Sequence, residues 1–416
     1  MREMKDSGIS WVGEIPKEWT IMPLYCFYSE RKNKNIFGVE NNLLSLSYGK
    51  VIRKDINTSE GLLPSNYNGY NIVEAGDIII RPTDLQNDKR SLRTGLSKER
   101  GIITSAYIAL KPKNEINSRF YHYLLHTYDI LKVFYNMGNG VRQGLNYDEF
   151  AKLMVYSPSD TEQQKIAEFL DRECGKIDGL KADIQAQIDT LEQYKRSIIT
   201  EAVTHGLNPS APMKECSVSW ARQIPQHWKV MPNKHLMTKI KNICPIYKGE
   251  DILSLTMYGV IVRDLDAGGK MPSSFDGYQY IKKGNLLMCL FDIDVTPRCI
   301  GIIKQSGITS PAYSQFKMKK IANARFYYYY YLMLDYTKEL LHLAKNLRHS
   351  LTEDQLGAIK QLVPPIDEQQ EIADYLDNKC AEIEQIIADK KSQIETLDGY
   401  KKSLIYEYVT GKKEVV

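Results

Sequence analysis

No stretch of the 416 residues approaches the roughly 18 consecutive apolar residues that a membrane-spanning helix needs, and the opening MREMKDSGIS has no apolar secretory core. Neither a membrane association nor secretion is expected, and the expected location is cytoplasmic. The seven cysteines (Cys26, Cys174, Cys216, Cys244, Cys289, Cys299, Cys380) are odd in number, scattered and never spaced C-x-x-C. That removes a zinc ribbon and a disulfide framework, and it fits a reducing compartment. With 55 basic against 51 acidic side chains the net charge is only +4, so its distribution, not its total, must identify partners. Gly49-Lys50, Gly175-Lys176 and Gly411-Lys412 lack the following Ser or Thr of a phosphate-binding loop. In Gly138-Asn-Gly140 the third glycine, Gly144, comes one place too late for a dinucleotide loop, and a helical pattern precedes it where a strand is required. His122 and His126 stand four apart on that helical pattern, a spacing that can chelate, but no third ligand accompanies them. Surface histidines are the simpler reading, and no metal site is expected.

What the chain does have is 43% apolar residues, enough for the cores of two or three domains, and an average 25% of charged ones. Tyrosine stands out, with 28 against 10 phenylalanines. A phenol offers a stacking face and a hydroxyl that reaches phosphate or base edges, although most tyrosines simply edge a core.

The main feature is a duplication. Trp11-Val-Gly-Glu-Ile-Pro16-Lys-Glu-Trp19 returns as Trp220-Ala-Arg-Gln-Ile-Pro225-Gln-His-Trp228, an offset of 209. Leu44-Ser-Leu-Ser47 returns as Leu253-Ser-Leu-Thr256, and Tyr67-Asn-Gly69-Tyr70 as Phe275-Asp-Gly277-Tyr278. Later the offset settles at 206: Arg119-Phe-Tyr121 with Arg325-Phe-Tyr327, and Pro158 with Glu162-Gln-Gln164 against Pro364 with Glu368-Gln-Gln370. Ile166-Ala-Glu-Phe-Leu170-Asp171 likewise returns as Ile372-Ala-Asp-Tyr-Leu376-Asp377, and Thr190-Leu-Glu-Gln-Tyr194-Lys195 as Thr396-Leu-Asp-Gly-Tyr400-Lys401. Asp77 resembles a nuclease carboxylate until its counterpart is seen to be Asn285; a turn at a strand start is the reading that serves both copies.

Within one copy, residues 20 to 115 alternate short apolar runs with Gly, Asn and Pro, the pattern of strands and turns. A helical stretch follows from Ser118 to Tyr135, so the domain mixes α and β. Pro158 and the acidic residues behind it start a long helix that meets no breaker until about Thr204. Leu170, Ile177, Ile184, Leu191 and Ile198 recur every seventh residue, with Ile166, Leu180 and Tyr194 as expected neighbours in the seam and Glu173 and Gln187 as interruptions. The second copy supplies the partner: Leu376, Ile383, Leu397 and Leu404 in the same phase, with Ile372, Ile386 and Tyr400 alongside. Lys390 stands where Ile184 stood, either fixing register or turning its stem outward. The first helix ends where the second domain begins, and the second helix starts where that domain ends, so the two are expected to pack as an antiparallel coiled coil. Roughly 44 residues at 1.5 Å each make a rod of about 65 Å, somewhat under two turns of B-DNA, with the copies related by a pseudo-twofold axis. The expected divisions are a first domain 1–157, a first helix 158–206, a second domain 207–363 and a second helix 364–416.

Together, the paired W-x-x-x-I-P-x-x-W openings, P-x-x-x-E-Q-Q-x-I-A-x-x-L helix starts and T-L-x-x-Y-K-x-S segments resemble the specificity subunit of Type I restriction-modification systems. The resemblance covers essentially the whole chain. It implies an α+β fold: two mixed α/β target recognition domains separated by two conserved helices, each domain reading half of a bipartite double-stranded DNA target. It implies two methylation subunits and two restriction subunits as partners, with S-adenosylmethionine, ATP and Mg bound on those subunits and no cofactor or catalysis in this chain. Consistently, there is no N-P-P-Y or D-P-P-Y motif of an adenine methyltransferase. The competing reading is a coiled-coil adaptor whose globular ends hold proteins.

Base readout and phosphate contact call for Arg, Lys, Asn, Gln and Tyr on loops where the copies diverge. Three sets qualify, each weighed against an ordinary solvated surface. The first is Arg81, Gln86, Asn87, Lys89, Arg90 and Arg93 against Thr296 and Arg298. The second is Asn139, Arg142 and Gln143 against Asn346, Arg348 and His349. The third is Tyr48, Lys50 and Arg53 against Tyr258 and Arg263.

Overall fold

The computed structural model describes residues 2–57, 66–83, 85, 92–113, 115–137, 144–265, 272–294, 296, 298–344 and 349–415. It divides into two units, residues 1–184 with 391–416, and residues 185–390. Unit 1 opens with a hairpin of β1 (Met4–Asp6) and β2 (Glu14–Pro16), passes through β3 (Thr20–Pro23) and β4 (Tyr28–Glu30), and makes a second hairpin from β5 (Leu44–Ser47) and β6 (Lys50–Arg53). β7 (Asn71–Val73), β8 (Ile78–Ile80), β9 (Thr94–Leu96), β10 (Gly101–Ile103) and β11 (Ile108–Pro112) precede helix α1 (Ser118–Ile130). One helical turn, α2 (Tyr147–Phe150), leads to β12 (Met154–Ser157) and the long α3 (Asp160–His205).

Unit 2 repeats this strand for strand. Its hairpin is β13 (Met213–Val218) and β14 (Ala221–Pro225), followed by β15 (Lys229–Pro232), β16 (Met237–Ile240), β17 (Leu253–Thr256) and β18 (Gly259–Val262). Then come β19 (Gln279–Ile281), β20 (Leu286–Met288), β21 (Ile300–Ile302), β22 (Gly307–Thr309) and β23 (Ser314–Met318). α4 (Ala324–Tyr336), α5 (Glu353–Ala358), β24 (Lys360–Val363) and α6 (Ile366–Val409) complete it. The central four-stranded sheet is β4-β11-β8-β9 in unit 1 and β16-β23-β20-β21 in unit 2, antiparallel throughout. β12 closes onto β3 as β24 closes onto β15.

Ile78-Ile79-Ile80 is apolar without alternation because both faces of its sheet are covered. Ile78 and Ile80 enter the main core with Trp19, Phe120 and Tyr156, while Ile79 turns to a smaller core with Leu44, Val73, Ile103 and Ala109. Unit 2 divides the same way, Leu287 joining Leu253, Val260, Ile281 and Ile303. Each such side chain contributes about 1.5–3 kcal/mol on burial, and this smaller core is what carries the β5–β6 and β17–β18 hairpins.

The repeated motifs are fasteners for this architecture. Trp19 Nε1 donates to Glu162 at 3.0 Å and Trp228 Nε1 to Glu368 at 3.0 Å, locking each opening segment to the first turn of a long helix. Gln163 Nε2 donates to the Pro158 carbonyl (3.0 Å) and Gln369 Nε2 to that of Pro364 (2.9 Å). The α1 and α4 caps, Asn117 and Asn323, donate to Gln164 and Gln370, both at 2.6 Å. Arg119 pairs with Asp171 at 2.7 Å, and Arg325 with Asp377 at 2.5 Å.

α3 and α6 contribute to both units, and within each unit their segments run antiparallel. In unit 1, Asp178 accepts from Lys401 (2.6 Å) and Lys181 pairs with Asp398; in unit 2, Lys195 pairs with Glu384 and Lys390 donates to Gln187. Leu170, Ile177, Leu376, Ile383 and Leu404 are buried, and Ile184, Leu191, Ile198 and Leu397 half-buried. The second row of the seam differs from expectation. It runs four residues behind the first, through Cys174, Lys181, Ile188, Lys195 and Ala202, all buried or half-buried. Leu180 and Tyr194, and their counterparts Ile386 and Tyr400, instead face solvent with 45–58% of their surface exposed. The two lysines occupy seam positions because their stems pack there while their ammonium groups reach carboxylates on α6.

Candidate nucleic-acid interface

β5 and β6 pair Leu44 with Arg53 and Ser47 with Lys50, which leaves Tyr48-Gly49 as a two-residue turn. Both turn residues have positive φ, 46° and 77°, the geometry that matches strand twist in a tight hairpin. A left-handed tyrosine costs about 1–2 kcal/mol, yet here it holds a phenol 87% exposed at the tip. In unit 2 the turn is Met257-Tyr258 followed by Gly259 at φ 99°, and Tyr258 is 84% exposed.

Both hairpins lie flat because the strand beneath carries a glycine. A Cβ on Gly95 would stand 2.5 Å from Leu46 and 3.1 Å from Val51; on Gly301 it would stand 2.7 Å from Val260 and 2.8 Å from Leu255. Val51 and Val260 are thus equivalent, and the register corrects the pairing of Arg53 with Arg263. Arg53 lies opposite Leu44, and Val262 lies opposite Leu253, so Val262 is the counterpart of Arg53. Arg263 matches Lys54 instead: Lys54 N donates to Leu43 at 2.8 Å, and Arg263 N donates to Ile252 at 2.7 Å. The two turns are equally long, with Met257 where Tyr48 stands and Tyr258 where Gly49 stands, so aligning the two tyrosines shifts the register by one residue and conceals Lys54.

Around the unit 1 hairpin, Arg53 makes a bidentate pair with Glu99 that holds the Glu99 carboxyl below its ordinary range. Lys50 Nζ lies 3.5 Å from Asp178. Burial pushes the Asp178 carboxyl up, but the hydrogen bond and charge of Lys401, with Lys50, hold it below the usual range. Beneath the turn, the Cβ position of Gly49 is 3.1 Å from Leu92 and 3.3 Å from His126, whereas in unit 2 Arg298 approaches Gly259 at 3.9 Å. Leu92 and Arg298 occupy equivalent positions in the two copies, so similar hairpins rest on different side chains.

Arg93 is a correction. It is fully buried, its guanidinium taken by the carbonyls of Thr83 and, at 3.5 Å, Arg81, while its amide donates to Asp129. Arg81 is half-buried and pairs backbone to backbone with Arg93 at 2.8 Å. Half-buried Thr296 gives its carbonyl to Lys338 at 3.2 Å, and His349, at φ 42°, pairs with Asp294 at 2.9 Å. Gln86, Asn87, Lys89, Arg90, Asn139, Arg142, Gln143, Asn346 and Arg348 lie outside the described residues.

Asp77 and the two histidines on α1 have structural settings. Asp77 is buried against Arg31 and accepts the Glu74 amide at 2.8 Å, and its counterpart Asn285 donates to Gln315 at 2.8 Å; each braces the turn into the next strand. Burial pushes His122 down to about 3 and His126 down to about 4, so both imidazoles are neutral at pH 7, with His126 Nδ1 3.2 Å from the Thr94 hydroxyl. Among the described residues no three His, Cys, Asp or Glu side chains converge as a metal site, and no helix is long and apolar enough to cross a membrane.

The sequence profile of the family described as Type I restriction modification DNA specificity domain matches residues 48–190 and 300–396. The MjaX specificity subunit assigned to a type I restriction enzyme of Methanocaldococcus jannaschii is 23% identical over 97% of this chain and 96% of its own. A solved chain described under complex assembly and conformational transition of the type I R-M system superposes with a TM-score of 0.69 at 12% identity, over 96% of this chain and 99% of that one. The HsdS subunit of Thermoanaerobacter tengcongensis gives 0.46 at 11% identity, over 96% and 98% of the two chains. With the profile matching more than half its length on a duplicated α+β frame, the chain belongs to the Type I restriction-modification DNA specificity family, as a non-catalytic specificity subunit.

Proposed function

We propose that the chain reads a bipartite, asymmetric double-stranded DNA target, one half-site per unit, and recruits two methylation and two restriction subunits. Those partners hold S-adenosylmethionine, ATP and Mg. The observation that carries this reading is the pair of hairpins β5–β6 and β17–β18. Each is seated by a glycine contact on the same scaffold and presents an exposed tyrosine, but the residues around the tips differ: Lys50, Arg53 and Leu92 in one, Gly259, Val262 and Arg298 in the other. One scaffold with divergent tips suits two half-sites of different sequence. Recruitment is supported by Leu180, Tyr194, Ile386 and Tyr400, repeated apolar side chains left on the outer faces of the helices.

Methylome sequencing of the host with and without this gene tests the proposal. One bipartite adenine-methylated motif disappears on deletion. An unchanged methylome, with the assembled complex indifferent to DNA sequence, favours an adaptor that holds proteins.

A further inference from the structure

Near the C-terminal ends of α3 and α6 the two units differ by one ring. In unit 1, Tyr408 of α6 packs on Phe169 of α3 with ring centroids 4.3 Å apart. The offset of 206 that aligns the helices carries Phe169 to Tyr375 and Tyr408 to Ala202. Unit 2 thus has a methyl group in place of the second ring, and Tyr375 meets no other ring among the described residues. The space opens as a cavity of about 480 Å³ lined by Tyr375, Ala202, Ile198, Leu207 and Met213, with Glu201 at its side. Tyr375, Leu207 and Met213 each keep more than a third of their surface exposed.

We infer that this cavity is an anchor site for one aromatic side chain, a Phe or Tyr presented by a methylation subunit, seated where the Tyr408 ring sits in unit 1. The identity of the partner rests on the proposed function; the preference for a ring rests on the internal repeat, which shows a phenol filling the equivalent place. Its size is that of a small-ligand pocket, and its wall is mixed, with Glu201, His205, Asn208 and Gln223 set among the apolar side chains. A ring inserted by a partner would cover the exposed Tyr375, Leu207 and Met213, making the kind of aromatic contact that dominates protein interfaces.

The test uses the full-length chain and 4-methylphenol, the tyrosine side chain itself, as probe. Ala202→Tyr supplies the ring from within, as unit 1 does, and is expected to fold. Saturation-transfer NMR should show 4-methylphenol on the wild-type chain, lost in Ala202→Tyr and lost again when the wild-type chain is assembled with its methylation subunit. Analytical ultracentrifugation should show assembly weakened at least tenfold by Ala202→Tyr and by Met213→Glu, a rim change that does not depend on fitting a ring into the core. Unchanged assembly in the variants, or 4-methylphenol still bound by the assembled complex, overturns the anchor. A concentration-dependent dimer abolished by Ala202→Tyr overturns it too, by assigning the cavity to a second copy. A wild-type chain that binds 4-methylphenol but never assembles overturns the named partner together with the recruitment reading, and its retained probe binding distinguishes that failure from the absence of a pocket.

Discussion

Tyr48 shows how far a single residue is specified by its setting. Its left-handed backbone suits Gly or Asn better, so at a solvated tip the ring adds nothing to stability, and the proposed DNA contact is the role left to it. Tyr48→Asn should raise the unfolding midpoint slightly while lowering the affinity of the assembled methyltransferase for its target about tenfold, or 1.4 kcal/mol. Fluorescence anisotropy on target and scrambled duplexes checks this; equal affinity for the target would remove the tip from the interface. The half-buried histidines on α1 give a second expectation. Their folded values, about 3 for His122 and about 4 for His126, lie below the 6.5 of an exposed imidazole. The unfolded chain therefore takes up protons first as pH falls. The stability these two provide is intact above about 6.5 and drains as pH drops toward 4. Urea unfolding between pH 7.5 and 5 should lose about 1–3 kcal/mol, and His126→Leu should flatten that slope. Neither property was legible in the sequence, where the two histidines read as surface residues and Arg93 as a DNA contact. Burial of a polar side chain in a loop depends on carbonyls brought near by the fold, here those of Arg81 and Thr83, and leaves no periodic trace.

Elements were far more legible, because helices and their partners write periods. The seven-residue row from Leu170 to Ile198 was plain, as was its copy in α6. The second row was not, since Lys181 and Lys195 carry charges that a hydrophobicity pattern rejects, whereas Leu180 and Tyr194 offered apolar side chains one step away. The signal that identifies the true row is electrostatic: Lys195 and Lys401 are equivalent in the repeat, as are their partners Glu384 and Asp178. Lys195 is buried at the seam beside Glu384, so removing the carboxylate alone strands a charge. Glu384→Ala should cost about 1–2 kcal/mol, whereas Lys195→Met, which keeps the stem and removes the charge, should be neutral or stabilising. Chemical denaturation of both single variants and the double variant checks the pair; a destabilising Lys195→Met with a silent Glu384→Ala would assign the seam to charge attraction rather than packing. The motifs that mark the duplication belong to this scale as well. Trp19 with Glu162 and Trp228 with Glu368 repeat because each copy must clamp its opening segment to a helix start, so they report architecture and leave target choice to other residues.

At the scale of the molecule, the duplication predicts a division of labour. Residues 20 to 157 supply the central sheet, the β5–β6 hairpin and the partners of Gln164 and Asp171, but neither long helix. The fasteners at their borders are repeated in unit 2, so a replacement from another family member that keeps Asn117 and Arg119, with Trp19 left in place ahead of it, should dock on α3 as the original does. Such an exchange should change one half of the methylated motif and leave the other half and the spacer length as they were, because unit 2 and both helices are untouched. Methylation mapping of the chimaera reads all three quantities at once. A change in both halves would mean that the units share base contacts, and a changed spacer would mean that the recognition domain, not the helix pair, sets the distance.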